Sequence, residues 1–185
     1  MFLILLYDNQ NVLDYLLRER GRLVHLYGEA DAGRTSVLFS LIGHLTEHGH
    51  PCAYLAPIGN QIQVERFRRY VKDPALCPLA VVPDRKLLPG IITELSEAAD
   101  YLFLDCFLSY ILYRTRRQNA SLMSFLSGCA YGKGTSFILC NDTRHVPGDD
   151  TASPAYMEVF RRYSSRNVLV YKDAAADIYY SFKDW

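Results

Sequence analysis

The segment most able to do chemistry is bounded by two glycines and ends in hydroxyl residues. Four residues separate Gly28 from Gly33, and Arg34 and Thr35 follow, which is the spacing of a phosphate-binding loop, G-x-x-x-x-G-K-[ST], with arginine in place of lysine. In such a loop, backbone N–H groups and the N-terminus of the next helix converge on phosphates. The residues expected to bind nucleotide are Gly28, Glu29, Ala30, Asp31, Ala32, Gly33, Arg34, Thr35 and Ser36. The alternative is a strand-to-helix turn that binds no ligand.

Two side chains are candidates for holding Mg²⁺ through a bound nucleotide. Thr35 would reach the ion through its hydroxyl. Asp105 ends an apolar run, residues 101–104, that is typical of a buried strand. We expect this strand to lie beside the strand that leads into the loop, so that the carboxylate can hold Mg²⁺ through water. A buried aspartate that caps the next loop is the alternative interpretation.

Strands and helices alternate along the chain in an order that would position these groups. Compact apolar runs predict strands at residues 22–27, 52–55, 79–82, 101–105 and 136–140. Helical spacing of apolar residues predicts helices at 12–20, 35–47, 63–71, 90–98 and 121–130. This alternation predicts an α/β fold, a mostly parallel sheet with helices on both faces. The strands at 167–171 and 178–182 are expected to form a C-terminal antiparallel hairpin.

Length and composition favour a single soluble domain that spans residues 1–185. Apolar residues make up 50% and charged residues 22%, which excludes a disordered tail, and no run reaches the roughly 18 apolar residues of a membrane span. The formal charge is zero, so nucleic-acid binding would depend on a local patch. The scattered cysteines predict buried thiols, and no basic leader precedes the first apolar run. We therefore expect an intracellular protein that does not contact a membrane.

The segment ahead of the loop adds a pattern of its own. Residues 11–23 include Leu13-Asp14-Tyr15-Leu16-Leu17 and then a glycine, as in the lead-in helix of a known family. Together with the loop, Asp105 and the strand at 136–140, this pattern resembles the core of RecA-like recombinases and their paralogs. These paralogs include RadB-type archaeal proteins, eukaryotic Rad paralogs and Shu-complex-type mediators. The resemblance covers nearly the whole chain and implies a RecA-like P-loop NTPase core, with residues 1–22 as N-terminal segment and lead-in helix.

The same resemblance implies weak or absent ATP hydrolysis. Active members have a glutamate after the second strand that polarises the attacking water, and Ile58 stands at that position. Asn141 matches a residue that senses the γ-phosphate, whereas Asp142 replaces the neighbouring glutamine and would repel phosphate. Arg34 binds phosphate as a planar fork where lysine is a point charge. ATP and Mg²⁺ can therefore still bind where hydrolysis is lost.

Arginines mark two segments that bind DNA in this family. The first, residues 113–119, contains Arg114, Arg116 and Arg117, and the second would start near Arg144. Such arginines can hold the phosphates of single-stranded DNA; a solvated arginine face is the alternative. Residues 2–7 would pair with the sheet edge of a neighbouring protein, or form an internal edge strand.

The resemblance describes an accessory recombinase paralog in homologous recombination and DNA repair, nuclear in a eukaryote and otherwise cytoplasmic. Its partner would be another RecA-like recombinase or paralog in a hetero-oligomer, with single-stranded DNA as a further ligand. Two alternatives stay open. One is a slow RecA- or KaiC-like ATPase that acts in signalling or transport, and the other is a scaffold whose loop binds nothing.

Two further clusters are expected to have no chemical role. His44 and His48 have the i, i+4 spacing of metal ligands, but no third ligand is evident, so no structural metal is expected. Arg66, Arg68 and Arg69 are interpreted as a solvated face of a helix.

Overall fold

The computed structural model describes residues 9–57, 64–111, 115–144, 153–154, 157–172 and 178–183. Its strands are β1 (Leu23–Gly28), β2 (Cys52–Pro57), β3 (Leu79–Val82), β4 (Tyr101–Asp105), β5 (Ser136–Arg144), β6 (Ser153–Pro154), β7 (Arg166–Lys172) and β8 (Ile178–Lys183). Its helices are α1 (Asn9–Arg18), α2 (Arg34–Glu47), α3 (Val64–Tyr70), α4 (Leu88–Ala98), α5 (Leu108–Ile111), α6 (Arg116–Lys133) and α7 (Met157–Tyr163). A 3-10 helix, Pro74–Leu76, precedes β3.

Six strands form an all-parallel sheet in the order β3-β2-β4-β5-β1-β7. The predicted α/β fold is thereby confirmed, and the sheet is compatible with a P-loop-like core. The expected direct contact between the strand of Asp105 and the strand that leads into the loop is wrong, because β5 lies between β4 and β1. The registers still bring the strand ends together, with Gly28 opposite Asp142 and Asp105 opposite Cys140.

Helices cover both faces of the sheet, as predicted. One core cluster contains Leu16 of α1, Leu41 of α2 and Phe67 of α3. The other contains Met123 of α6 and Phe160 of α7, together with residues of α4 and α5. A sheet covered on both faces removes both sides of its central strands from water, so these strands read as continuous apolar runs.

The central strand β1 shows how the alternation of side chains sorts residues between the two layers. All six of its residues are buried. Val24 and Leu26 belong to the cluster on the α2 face, whereas Leu23 belongs to the cluster on the α6 face. Successive side chains of a strand point to opposite faces, so the position of a residue along β1 decides which layer it joins.

At the other end of the strands, an ionic cluster ties the chain after α1 to the sheet. Arg20 forms an ion pair with Asp100, and the Nδ1 atom of His50 lies 3.0 Å from Asp100 Oδ2. The guanidinium of Arg20 also lies 5.2 Å from the ring centre of Tyr101. Partial burial alone would raise the pKa of Asp100, but the hydrogen bonds from Arg20 and His50 outweigh it and lower that pKa. The cluster therefore stabilises the junction while Asp100 is ionised.

Two predicted boundaries are wrong, and both lie where the family resemblance placed DNA-binding loops. Helix α6 begins at Arg116, because the Thr115 side chain and Gln118 form a capping box there. Strand β5 continues to Arg144, since Thr143 and Arg144 pair with the short antiparallel strand β6. The arginines at 116, 117 and 144 are therefore held in regular secondary structure.

Strand β8 lies at the edge of the sheet and pairs antiparallel with β7, with Val168 opposite Phe182. Residues 173–177, which connect the two strands, lie outside the described residues, so the hairpin itself stays a prediction. Also outside the described residues are residues 2–7, Ile58, Arg114 and His145. Among the helices that the structure describes, none is long and apolar enough to cross a membrane.

Candidate nucleotide-binding site

The loop from β1 to α2 follows the expected strand, turn and helix, and its geometry requires glycine at both ends. Gly33 is the residue before α2 and has φ 90°, a left-handed conformation. A Cβ atom on Gly33 would collide with the side chain of Ile178, and one on Gly28 would collide with the carbonyl oxygen of Val170. Within the loop, the N–H of Ala32 donates to the carbonyl of Glu29 over 3.2 Å. The backbone can therefore pass close to β7 and β8 only because both glycines lack a side chain.

The structure brings the two predicted Mg²⁺-side residues into direct contact. The hydroxyl of Thr35, in the first turn of α2, donates to Asp105 Oδ2 over 3.0 Å. Asp105 is buried at the carboxyl end of β4, on the face of the sheet that α2 covers. Residues 70 positions apart in sequence thus meet at one edge of the sheet. A hydroxyl and a carboxylate are oxygen ligands of the kind that Mg²⁺ prefers.

Tyr54 also contacts Asp105, although no motif in the sequence points to this residue. Its phenol donates to the same carboxylate oxygen over 2.8 Å. Burial, and next the negative charge of Asp105, raise the pKa of Tyr54, so the phenol stays protonated and can donate. The alternation of side chains along β2 places Tyr54 on the α2 face. Its contact with Asp105 also requires that β2 and β4 are adjacent strands in the sheet.

Arg34, at the lysine position of the loop, forms an ion pair with Asp142, the last residue of β5 that pairs with β1. The two residues can meet because Asp142 is the partner of Gly28 in the parallel β1–β5 register. The Arg34 side chain is 17% exposed and that of Asp142 is 46% exposed. The carboxylate expected to repel phosphate thus lies directly beside the residue expected to bind it.

A second arginine reaches the start of α2. The guanidinium of Arg66, in α3, donates to the hydroxyl of Ser36, which is buried in the first turn of α2. Arg68 and Arg69 are exposed, as expected for a solvated face, but Arg66 departs from that interpretation. The charge pattern of α3 could not reveal this contact, because it depends on how α3 packs against α2.

Asn141 lies apart from the other predicted nucleotide-binding residues. It is fully buried, and its Nδ2 atom lies 3.0 Å from Nε2 of His25, whose ring stacks on Phe160 with ring centres 3.8 Å apart. Phe160 belongs to the layer opposite α2. Burial lowers the pKa of His25 to about 3, so the ring is neutral and its Nε2 can accept from the Asn141 amide.

The predicted DNA-binding arginines that the structure describes are spread over two elements. Arg116 and Arg117 are exposed in the first turn of α6. Arg117 and Phe125 help to line a groove between α4 and α6. Arg144 lies on β5, and Arg114 lies outside the described residues.

The histidine spacing does not form a metal site. His44 lies 3.8 Å from Glu47, and His48 contacts the carbonyl of His44. Within the described ranges, no group of three or more His, Cys, Asp or Glu residues could hold a metal ion.

The sequence matches no protein-family model and no curated protein. Fold and geometry therefore define the class: an α/β protein whose six-stranded parallel sheet is compatible with a P-loop-like core.

Proposed function

We propose that this protein is a RecA-like P-loop core that binds a nucleoside triphosphate with Mg²⁺ and serves as an accessory recombinase paralog in homologous recombination and DNA repair. One observation carries the nucleotide part: the 3.0 Å hydrogen bond between Thr35 and Asp105 at the N-terminus of α2. A turn that binds no ligand does not require these two residue types to meet at the end of the loop.

The loop offers what phosphates require. The helix dipole and the free N–H groups in the first turn of α2 favour an anion. The guanidiniums of Arg34 and Arg66 lie at this helix end. Thr35 and Asp105 fit a Mg²⁺ ion carried by the nucleotide, which would neutralise phosphate charge.

Two described carboxylates at this site are already engaged in other contacts. Asp105 accepts hydrogen bonds from Thr35 and Tyr54, and Asp142 is paired with Arg34. Glu65 is exposed on α3. A carboxylate already paired with cations or donors is a poor proton acceptor, which supports nucleotide binding with very weak turnover.

The recombination role is supported by the family resemblance of the loop, the lead-in helix and Asp105, and by the exposed arginines Arg116 and Arg117. The partner in this proposal is another RecA-like protein, with single-stranded DNA as a second ligand. The competing function is a slow RecA- or KaiC-like ATPase in signalling or transport. It uses the same contact between Thr35 and Asp105 and differs from the accessory role in requiring turnover.

Nucleotide binding is tested by the thermal shift that MgATP produces in wild type and in Thr35→Ala. A ligand selective for the folded protein must raise its melting temperature. We expect a shift in wild type that falls by more than half in Thr35→Ala. Thr93→Ala is the matched control, because Thr93 is an exposed helix residue whose hydroxyl bonds only to its own helix. No shift in wild type would refute nucleotide binding.

Phosphate release, measured on the same proteins, separates the two functions. Turnover that disappears in Asp105→Ala favours the ATPase, whereas binding without turnover favours the accessory role.

For DNA, the double variant Arg116→Ala/Arg117→Ala should bind single-stranded DNA more weakly and with a smaller salt dependence. The exposed pair Arg68→Ala/Arg69→Ala is the charge-matched control. Recovery of a RecA-like recombinase with the tagged protein from its native cells would support the proposed partner.

A further inference from the structure

Asp142 is a negative charge placed inside a site whose other features favour anions. It lies on β5 opposite Gly28, so that the loop begins beside its carboxylate. It forms an ion pair with Arg34, whose side chain is mostly buried, while Asp142 itself stays 46% exposed. Arginine binds carboxylate and phosphate through the same planar pair of N–H donors. The carboxylate contacts Nη2 of Arg34, one of the donors that a phosphate would use.

The neighbouring contacts at the start of α2 differ in kind. Thr35 contacts Asp105 through a hydroxyl, and Ser36 accepts from Arg66. Both pairs keep free donors or lone pairs when a phosphate or Mg²⁺ arrives, because hydroxyls donate and accept at once. The ion pair of Arg34 with Asp142 has no such spare capacity, because the Asp142 carboxylate and an incoming phosphate compete for one guanidinium.

We propose that Asp142 is an internal competitor for the phosphate site: it holds Arg34 in the ligand-free protein, and a nucleotide binds by displacing it. This inference rests on the proposed nucleotide binding and describes how the affinity of that site is regulated. Displacement breaks one ion pair and leaves the carboxylate near phosphate charge, so Asp142 lowers affinity through both effects. A group that neutralises Asp142 would raise the affinity of the site.

The test is calorimetric titration of the full chain with MgATP. Wild type, Asp142→Asn and Glu47→Gln are compared at one salt concentration. We expect Asp142→Asn to bind MgATP roughly five- to thirty-fold more tightly, from one lost ion pair and one lost repulsion. Glu47→Gln removes the same charge from a residue that is 38% exposed and paired with Lys72. It lies at the far end of α2, about 20 Å away, and should change affinity less than twofold.

A second pair of variants asks whether the effect passes through Arg34. In an Arg34→Ala background, Asp142→Asn should gain less than half as much affinity, because no guanidinium remains to be released. Ligand-free Asp142→Asn should also melt slightly below wild type yet show the larger shift with MgATP. A purely structural role for Asp142 would lower both values. If Asp142→Asn does not fold, Asp142→Gln replaces it with the same expected gain.

The outcomes separate this inference from the function on which it rests. Equal or weaker binding by Asp142→Asn, with wild type binding MgATP, overturns the competitor and leaves nucleotide binding standing. Binding by Asp142→Asn alone, with none by wild type, overturns displacement by nucleotide, because MgATP then fails to compete with the carboxylate for Arg34. No binding by any variant overturns both proposals.

Discussion

The buried His25 should make this protein lose stability in mildly acidic solution. Its ring is fully buried between β1 and α7, and burial lowers its pKa to about 3, from 6.5 in an exposed chain. Between these two values the unfolded chain binds a proton that the folded protein excludes. Stability therefore falls as the pH falls from about 6.5 toward 3.

The size of this loss follows from the two pKa values. Proton linkage gives a decrease in the free energy of unfolding of about 2 kcal/mol between pH 7 and pH 5, approaching 1.4 kcal/mol for each further pH unit. The carboxylates whose pKa is lowered, Glu47 and Asp100, add their own acid sensitivity only below about pH 4.5. The interval from pH 7 to pH 5 thus separates the effect of His25 from that of these carboxylates.

The assay is urea denaturation followed by far-ultraviolet circular dichroism at pH 7, 6 and 5. Wild type is compared with His25→Gln, whose amide can still pair with Asn141 but does not titrate. The variant should be less stable than wild type at pH 7. Between pH 7 and pH 5, however, it should lose almost none of the roughly 2 kcal/mol of unfolding free energy that wild type loses. His48→Gln, at an exposed histidine, should keep the wild-type slope. An unchanged stability of wild type from pH 7 to pH 5, or an equal slope in His25→Gln, would refute the reasoning.

Three more changes test other contacts. Tyr54→Phe keeps the ring but removes a buried hydrogen bond to a carboxylate. The free energy of unfolding, measured by urea denaturation, should therefore fall by about 1.5–3 kcal/mol. An unchanged value would show that the phenol hydroxyl adds nothing to stability. Arg66→Gln should weaken MgATP binding several-fold in titration calorimetry, whereas Arg69→Gln should not; equal effects would remove Arg66 from the site. Asp100→Asn should lower stability at pH 7 by about 1 kcal/mol or less. That difference should shrink as the pH falls below the ordinary pKa of 3.8, because the contacts with Arg20 and His50 that lower the pKa of Asp100 stabilise only its ionised form. A difference that does not shrink would contradict this.

Local sequence signals were sufficient for most elements of the fold. The six parallel strands, α2 and the loop between β1 and α2 follow from apolar runs, helical spacing and two glycines. The short helices α5 and α7 were missed, since elements of 4 and 7 residues show little periodicity. The start of α6 was placed too late although Thr115 and Gln118 carry the spacing of a capping box, so here a readable signal was overlooked.

The candidate site was predicted only in part, and the reason lies in sequence distance. Thr35 and Asp105 were named together because a motif and a strand end each carry a local signature, and their contact is observed. Tyr54 and Arg66 carry no such signature. Their contacts join residues 51 and 30 positions apart, so they exist only once β2 lies beside β4 and α3 lies against α2.

By itself, the sequence determined the α/β class, the phosphate-loop spacing and the residue types that stand at the strand ends. Tertiary structure decided which of these residues meet. Strand order placed β5 between β4 and β1, register set Asp142 beside the loop, and the two-residue period of β5 turned Asn141 to the face opposite α2. Periodicity is a property of neighbouring residues, whereas strand order and register arise from packing between segments far apart in the chain.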